Sequence, residues 1–223
     1  MRKSMDYQSL IDQYYPVGTP LRFILMEHSR SVAHKALAIV DTHPQLQVDR
    51  QFVHEAAMLH DIGIFLTHAP GIECHGTEPY ICHGILGAAL MRKDGLERYA
   101  RVCERHTGTG LTLQQIIEQQ LPLPHQDFLP ETMEEKIICY ADKFYSKTHL
   151  DAEKTVEQAR RSIMKFGKEV IKDMKNNNNG SIINISSIYG ITGANGAVLY
   201  AASKACIDSF TKSLAKEMGK YNI

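Results

Sequence analysis

The fold of this chain is decided by one short stretch, Val53-His54-Glu55-Ala56-Ala57-Met58-Leu59-His60-Asp61-Ile62-Gly63. Its spacing predicts a helix that ends at Gly63, where a glycine in the left-handed conformation would close the last turn. Val53, Ala57 and His60 recur at spacings of four and three and share one helix face. Because burying an imidazole and a carboxylate without partners costs free energy, the adjacent His60 and Asp61 indicate a cation-binding site.

Other segments also place polar residues where a helix should be apolar. Apolar spacing predicts helices over residues 21–40, 50–62, 80–93, 96–105 and 131–147. The polar residues on their inner faces are His28, His60, Asp61, His83, His106 and Asp142. One buried histidine is more often a core residue bonded to a carbonyl. Six such groups would each need separate hydrogen-bond partners, so a shared metal centre explains them better.

This donor set allows two arrangements of metal. Four imidazoles and two carboxylates are enough for two first-row transition ions, with Asp61 as the bridging ligand. Alternatively, His28, His60, Asp61 and Asp142 hold one ion, and the other two histidines act as acid–base or phosphate-contacting groups. Helical bundles build such sites from separate helices, as this spacing requires.

The length, charge and cysteine content of the chain exclude several classes of protein. The chain has 223 residues, with 25 basic and 25 acidic side chains, enough for one large domain or one domain with an appendage. Zero net charge argues against binding to a nucleic-acid polymer or a membrane surface. We find no apolar leader and no membrane-length apolar run, so we expect a soluble, cytoplasmic protein. Five cysteines without a Cys-x-x-Cys indicate reduced, mostly buried thiols.

Segments between the predicted helices are irregular. Pro16, Gly18 and Pro20 should break any helix within residues 1–20. Residues 66–79 are expected to form an entrance loop or lid, and residues 121–130 an irregular connection. A charged helix is expected from residue 152 to about 168, where it would cap the bundle.

The order His…His-Asp…His…His…Asp resembles the HD phosphohydrolase superfamily over residues 20–165. The local sequences that carry the resemblance are Glu27-His28-Ser29-Arg30-Ser31-Val32-Ala33, Leu59-His60-Asp61-Ile62-Gly63, His83-Gly84-Ile85-Leu86-Gly87-Ala88, Arg105-His106-Thr107-Gly108-Thr109-Gly110 and Tyr140-Ala141-Asp142-Lys143. The contexts of His83 and His106 look most like the binuclear branch of that superfamily.

The resemblance implies an all-helical bundle over residues 1–168. It also implies hydrolysis of a small, nucleotide-type phosphate ester or anhydride by a metal-activated water. Asp61, His83 and His106 would have catalytic roles, and Fe or Mn would be the metal. Arg105 and Lys143, each beside a predicted ligand, are candidates for binding the substrate phosphate. A di-iron oxygenase is an alternative within the same superfamily, and the resemblance does not predict substrate or oligomeric state.

After residue 168 the sequence changes in character. Residues 176–180 suggest a polar turn, 181–187 a buried strand, 190–196 a glycine-containing loop and 200–220 a helix. Ser187, Tyr200 and Lys204 have the spacing of the catalytic set of short-chain dehydrogenases, and this segment resembles the middle of that family. In such a set a lysine lowers the pKa of the tyrosine that acts as acid and base.

The tail lacks what dehydrogenase chemistry needs. No Gly-x-x-x-Gly-x-Gly turn precedes it, so NAD(P) is not expected as a cofactor. We interpret residues 169–223 as a partial, catalytically inert segment that is not an independent domain, with an apolar strand prone to pairing. Two competing hypotheses remain: a dehydrogenase completed by a partner chain, and a metal-containing module that binds a ligand without turnover.

Overall fold

The computed structural model describes residues 5–159, 161, 174–182, 186–192 and 198–223. The chain divides into two compact units, Met1–Arg160 and Arg161–Ile223. The boundary predicted after residue 168 lies outside the described residues and stays a prediction.

The first unit is a helical bundle, which confirms the predicted all-α class. Its α-helices are α1 (Tyr7–Tyr14), α2 (Pro20–Thr42), α3 (Arg50–Leu59), α4 (His83–Lys93), α5 (Glu97–Arg105), α6 (Leu113–Glu118) and α7 (Met133–Asp142). Helix α2 packs against α3 and α7, and α4 packs against α5. Leu25, Val32, Leu59, Ile62 and Ile138 are fully buried in the core between these helices.

Side-chain caps set where the central helices begin. Asp49 accepts a hydrogen bond from the main-chain N–H of Phe52 at the start of α3. Thr132 and Glu135 form a reciprocal capping box at the start of α7. These bonds satisfy N–H groups that the first helical turn leaves unpaired.

Several element boundaries differ from the sequence-based expectation. Helix α1 precedes Pro16 and is capped by Asp6, so the prolines end this helix rather than prevent it. Helix α6 was not predicted, and α7 ends at Asp142 in place of residue 147. The turns that follow Asp142 are stabilised by main-chain bonds such as Tyr145 N–H to the Asp142 carbonyl, which are too short-range to continue an α-helix.

The prediction of a left-handed Gly63 is wrong, because its φ is −89°. The reason for glycine here is close packing against α4. A Cβ atom at this position would lie 2.3 Å from the carbonyl oxygen of His83 and 2.4 Å from the main-chain nitrogen of Gly87. Gly63 therefore lets the segment after α3 approach the helix that carries His83.

Residues 67–79 contain a small three-stranded sheet whose first strand in the sequence is the central one. Strand β1 (Thr67–Ala69) pairs antiparallel with β2 (Cys74–His75) and parallel with β3 (Glu78–Pro79). Short 3₁₀ turns connect it to α3 and α4. The segment is thus irregular as expected, but it is more ordered than a simple loop.

The second unit contains α8 (Tyr189–Thr192) and α9 (Val198–Met218), and a helical turn over residues 174–177. The predicted strand is not seen at residues 181–182 or 186–187, and residues 183–185 lie outside the description. The start of the predicted loop, residues 190–192, is helical, and its remainder lies outside the described residues. In the predicted helix over 152–168, residues 152–155 are not helical, residues 156–159 and 161 are, and the rest is not described.

None of the helices in the described part of the chain combines the length and apolarity needed to cross a membrane.

Candidate metal centre

The six side chains predicted to bind metal come together inside the first unit. His28 lies on α2, His60 and Asp61 directly follow α3, His83 begins α4, His106 directly follows α5, and Asp142 ends α7. Three helix C-termini therefore meet at the cluster. Their unpaired carbonyls carry partial negative charge, which favours a cation there.

Asp61 divides the cluster into two sets of donors. Its Oδ2 lies 3.2 Å from His28 Nε2 and 3.0 Å from His60 Nε2. Asp142 Oδ1 completes this first set, 3.1 Å from His28 Nε2. On the other side, Asp61 Oδ1 lies 3.5 Å from His83 Nε2 and 3.4 Å from His106 Nε2. The carboxylate of Asp61 thus faces both sets, one with each oxygen.

Main-chain carbonyls orient three of the imidazoles. Nδ1 of His60, His83 and His106 donates to the carbonyl oxygen three residues earlier, at 2.6, 2.7 and 2.7 Å respectively. Because a carbonyl can only accept, each Nδ1 carries a proton, and in the neutral ring Nε2 then presents a lone pair. Such bonds to the outer ring nitrogen are the usual way in which proteins aim a histidine at a metal.

Burial and charge set the protonation states. The pKa of His83 is lowered to about 3, mainly because the ring is buried, and burial also lowers the pKa of His106. Burial opposes charge on His60 as well, but Asp61 and Asp142 outweigh it and raise its pKa to about 9. The pKa of Asp61 stays well below its usual value, because His60 and Lys147 outweigh the effect of burial.

Two lysines contribute positive charge to the cluster. Lys143 Nζ lies 2.8 Å from Asp142 Oδ2 and donates to the carbonyl of His106. Lys147 Nζ lies 2.6 Å from Asp61 Oδ2. Sequence reasoning missed Lys147, since a residue five positions after Asp142 does not share its helix face. The turns that follow α7 bring it back to the site.

The donor chemistry fits divalent transition ions. Donor atoms from His28, His60, Asp61 and Asp142 lie within 4.8 Å of one another, as do those from Asp61, His83 and His106. Ligand atoms about 2.1 Å from one metal ion stand roughly 3–4 Å apart, like those of this cluster. Neither Asp61 oxygen makes a well-oriented hydrogen bond within the described residues, although both are buried. A carboxylate in this position suits coordination to a cation.

The remaining predicted site residues are placed differently. The Arg105 guanidinium donates to Glu131 and to the carbonyl of Leu129. None of the contacts described joins Arg105 to the six-residue cluster, so its predicted phosphate role has no support from the geometry. Ser187 and Lys204 are half-buried in the second unit. The side chain of Tyr200 lies outside the described structure, and the dehydrogenase-like set stays a prediction.

Two family models match different parts of the chain. Residues 25–147 match the family model described as HD domain. Residues 141–223 match the model described as short chain dehydrogenase, which confirms the predicted resemblance to that family, although the match begins before residue 169 and overlaps the HD match over residues 141–147. No solved structure matches the chain significantly.

Three relatives illustrate the two matches. An uncharacterized protein of Methanocaldococcus jannaschii is 40% identical over 53% of this chain and 64% of its own length. A tRNA (cytidine(56)-2'-O)-methyltransferase of Picrophilus torridus is 36% identical over 55% of this chain and 32% of its own length. A cyclopentanol dehydrogenase of a Comamonas species is 43% identical over 28% of this chain and 25% of its own length. The chain therefore covers less than two thirds of each of these relatives.

Proposed function

Since this chain belongs to the HD domain family, we propose that it is a metal-dependent hydrolase of a small phosphate ester or anhydride of the nucleotide type. The observation that carries the proposal is the placement of Asp61. Its two oxygens face two separate sets of nitrogen and oxygen donors. A carboxylate in this position is suited to bridge two metal ions.

Different residues of the chain would bind the two metal ions of such a centre. His28, His60 and Asp142 would hold one ion, His83 and His106 the other, and Asp61 both. When bound, divalent cations supply a water of lowered pKa and positive charge for the phosphoryl oxygens. The buried imidazoles of His83 and His106 present neutral Nε2 atoms in fixed directions, because their Nδ1 protons are held by carbonyls. This fixed geometry lowers the cost of reorganisation when charge develops.

Charge at the site favours an anionic substrate. The carboxylates of Asp61 and Asp142 are balanced by the ammonium groups of Lys143 and Lys147, which lie against them. Any divalent ion added to this balanced set leaves net positive charge, which attracts phosphate. A cavity of about 410 Å³ opens at His28 and Asp142. Its size suits a small molecule.

Fe or Mn is the proposed metal, because imidazole and carboxylate donors together accept both ions. The four-residue set around His28 is large enough to hold one ion by itself, so a mononuclear centre is the variant to be tested. The tRNA methyltransferase of Picrophilus torridus matches this chain over only 32% of its own length, so we do not propose methyltransferase activity for this chain.

The test is the release of inorganic phosphate or of nucleotide products from a panel of nucleotides and dinucleoside polyphosphates with Mn²⁺- or Fe²⁺-loaded protein, with both kinds of product quantified. We expect release that depends on metal and is abolished in His60→Ala and Asp61→Ala. His125→Ala is the matched control, since His125 is exposed. Bound metal without release from any substrate would favour the binding module, and O₂ consumption without release would favour the di-iron oxygenase.

For the second unit we propose no catalytic role. We expect that the protein does not change the fluorescence of NADH or NADPH when either nucleotide is present at millimolar concentration. Saturable binding of either nucleotide would contradict this proposal and support a dehydrogenase function.

A further inference from the structure

Lys147 is a buried cation with an unusual neighbour. Its side chain is only 12% exposed, and Nζ lies 2.6 Å from Oδ2 of the fully buried Asp61. An ammonium group is expensive to remove from water unless an opposite charge compensates it. Asp61 provides that charge, so the two residues form an ion pair in the interior of the cluster.

The ammonium group contacts the oxygen that a metal would need. Asp61 Oδ2 is the atom that also faces His28 Nε2 at 3.2 Å and His60 Nε2 at 3.0 Å. An ion held by these donors would lie beside the same oxygen. Because like charges repel strongly where water is excluded, Lys147 and a divalent ion compete for Oδ2.

Lys147 has space to move away from Asp61. It lines the 410 Å³ cavity together with Tyr80, Ser146 and Thr148, and this cavity also reaches His28 and Asp142. The ring of Tyr80 is 5.9 Å from Nζ. A lysine has a flexible four-carbon stem, so its ammonium group can shift by several ångströms without movement of the main chain.

Lys143 differs in this respect. Its Nζ is held by the carbonyl of His106 and by Asp142 Oδ2. Asp142 uses its other oxygen, Oδ1, towards His28. Lys143 therefore does not occupy the oxygen that faces the donor set.

We propose that Lys147 is an internal counter-cation that holds Asp61 in the metal-free protein. Metal displaces its ammonium group into the adjacent cavity, where it binds an anionic phosphate group. The phosphate part rests on the function proposed above, whereas the competition with metal rests on the Asp61 contact. Metal loading and phosphate binding are thus linked through one side chain, because the ammonium group that leaves Asp61 when metal binds is the group that contacts the phosphate.

Amine labelling of the native protein tests the displacement without any substitution. Lysines are acetylated briefly, and each site is quantified by mass spectrometry without metal, with Mn²⁺, and with Mn²⁺ plus inorganic pyrophosphate. We expect Mn²⁺ to increase labelling of Lys147 several-fold and pyrophosphate to reverse the increase. Exposed Lys136 on α7 is the internal control and should not change. Equal labelling of Lys147 with and without bound Mn²⁺ would overturn the proposal.

Calorimetry of Lys147→Met tests the competition. We expect Mn²⁺ to bind this variant about tenfold more tightly than the wild type, which corresponds to about 1.4 kcal/mol. Pyrophosphate should bind the Mn²⁺-loaded variant more weakly. Lys136→Met makes the same change in net charge and should match the wild type. Unchanged or weaker Mn²⁺ binding by folded Lys147→Met refutes the competition, whereas failure of the wild type to bind Mn²⁺ refutes the proposed function itself.

Discussion

His83 and His106 point their Nε2 atoms at each other across 3.0 Å. Each ring gives its Nδ1 proton to a main-chain carbonyl, so in the neutral state both Nε2 atoms carry lone pairs. Two lone pairs cannot form a hydrogen bond with each other. The pair is stabilised when a cation lies between the rings and Asp61 Oδ1, which is within 3.5 Å of both. This relationship links the fold, which fixes the carbonyls, to the proposed chemistry.

Adding metal should stabilise the protein. Binding to the native state alone contributes about 2.7 kcal/mol at a free metal concentration of 100 Kd, and we expect Tm to rise by about 5–10 °C. Differential scanning fluorimetry with Mn²⁺ and then excess EDTA measures the shift and its reversal. His60→Ala should lose the part of the shift that comes from the ion held by the set that contains His60, and His125→Ala should keep the whole shift. An identical shift in His60→Ala would place the stabilising metal elsewhere.

Metal binding should release a proton at neutral pH. In the metal-free protein the pKa of His60 is about 9, mainly because Asp61 and Asp142 overcome the effect of burial. At pH 7 the ring is therefore protonated, and it must lose about one proton before Nε2 can bind metal. Metal affinity should rise with pH until about pH 9 and then level off. Calorimetry in two buffers of different ionisation enthalpy measures the number of protons that are released when metal binds. Release of no protons at pH 7 would contradict the assignment of His60 as a ligand.

Gly63→Ala should disturb both stability and the site. The added Cβ would overlap the His83 carbonyl and the Gly87 main-chain nitrogen. We expect a loss of about 1–3 kcal/mol or more in the free energy of unfolding, measured in urea. Metal affinity should fall as well, because α4 carries His83. Gly71→Ala is the control, since nothing lies within 4 Å of its Cβ position. Equal stability of the two variants would show that the contact at Gly63 is not close.

Four of the five thiols should be unreactive in the native protein. Cys74, Cys82, Cys103 and Cys139 are buried, and Cys206 is exposed. Burial raises the pKa of Cys74 to about 11 and also raises the pKa of Cys82 and Cys139. In a titration with a thiol reagent at pH 8, one thiol should therefore react rapidly in the native protein. All five thiols should react after denaturation. Rapid reaction of two or more thiols would contradict the described burial.

The sequence was sufficient to predict the bundle and the residues of the cluster. His28, His60 and Asp142 were identified because a polar residue in an apolar helical stripe is rare unless it has a function. The geometry brings the six predicted residues into two donor sets that share Asp61. That they bind metal remains a proposal.

Other features were not visible from spacing alone. Lys147 lies in turns after α7, where no periodic pattern indicates which way a side chain points. The conformation of Gly63 was predicted wrongly, because a helix-ending glycine and a glycine needed for close packing look alike in sequence. Arg105 was chosen for its position beside His106, but Glu131 pairs with its guanidinium. Neighbours in sequence on a helix point in different directions, and of the two residues chosen because they adjoin a predicted ligand, Lys143 lies against Asp142 whereas the described contacts of Arg105 do not reach the cluster.

The central claim is that Asp61 lies between two metal-binding sets, and anomalous diffraction from crystals loaded with Mn²⁺ tests it most directly. The account predicts two anomalous peaks about 3.5–4 Å apart, one beside His28, His60 and Asp142 and the other beside His83 and His106. A single peak within the first set would contradict the two-metal claim and support the mononuclear variant. Fully loaded crystals with no peak beside Asp61 would contradict the account.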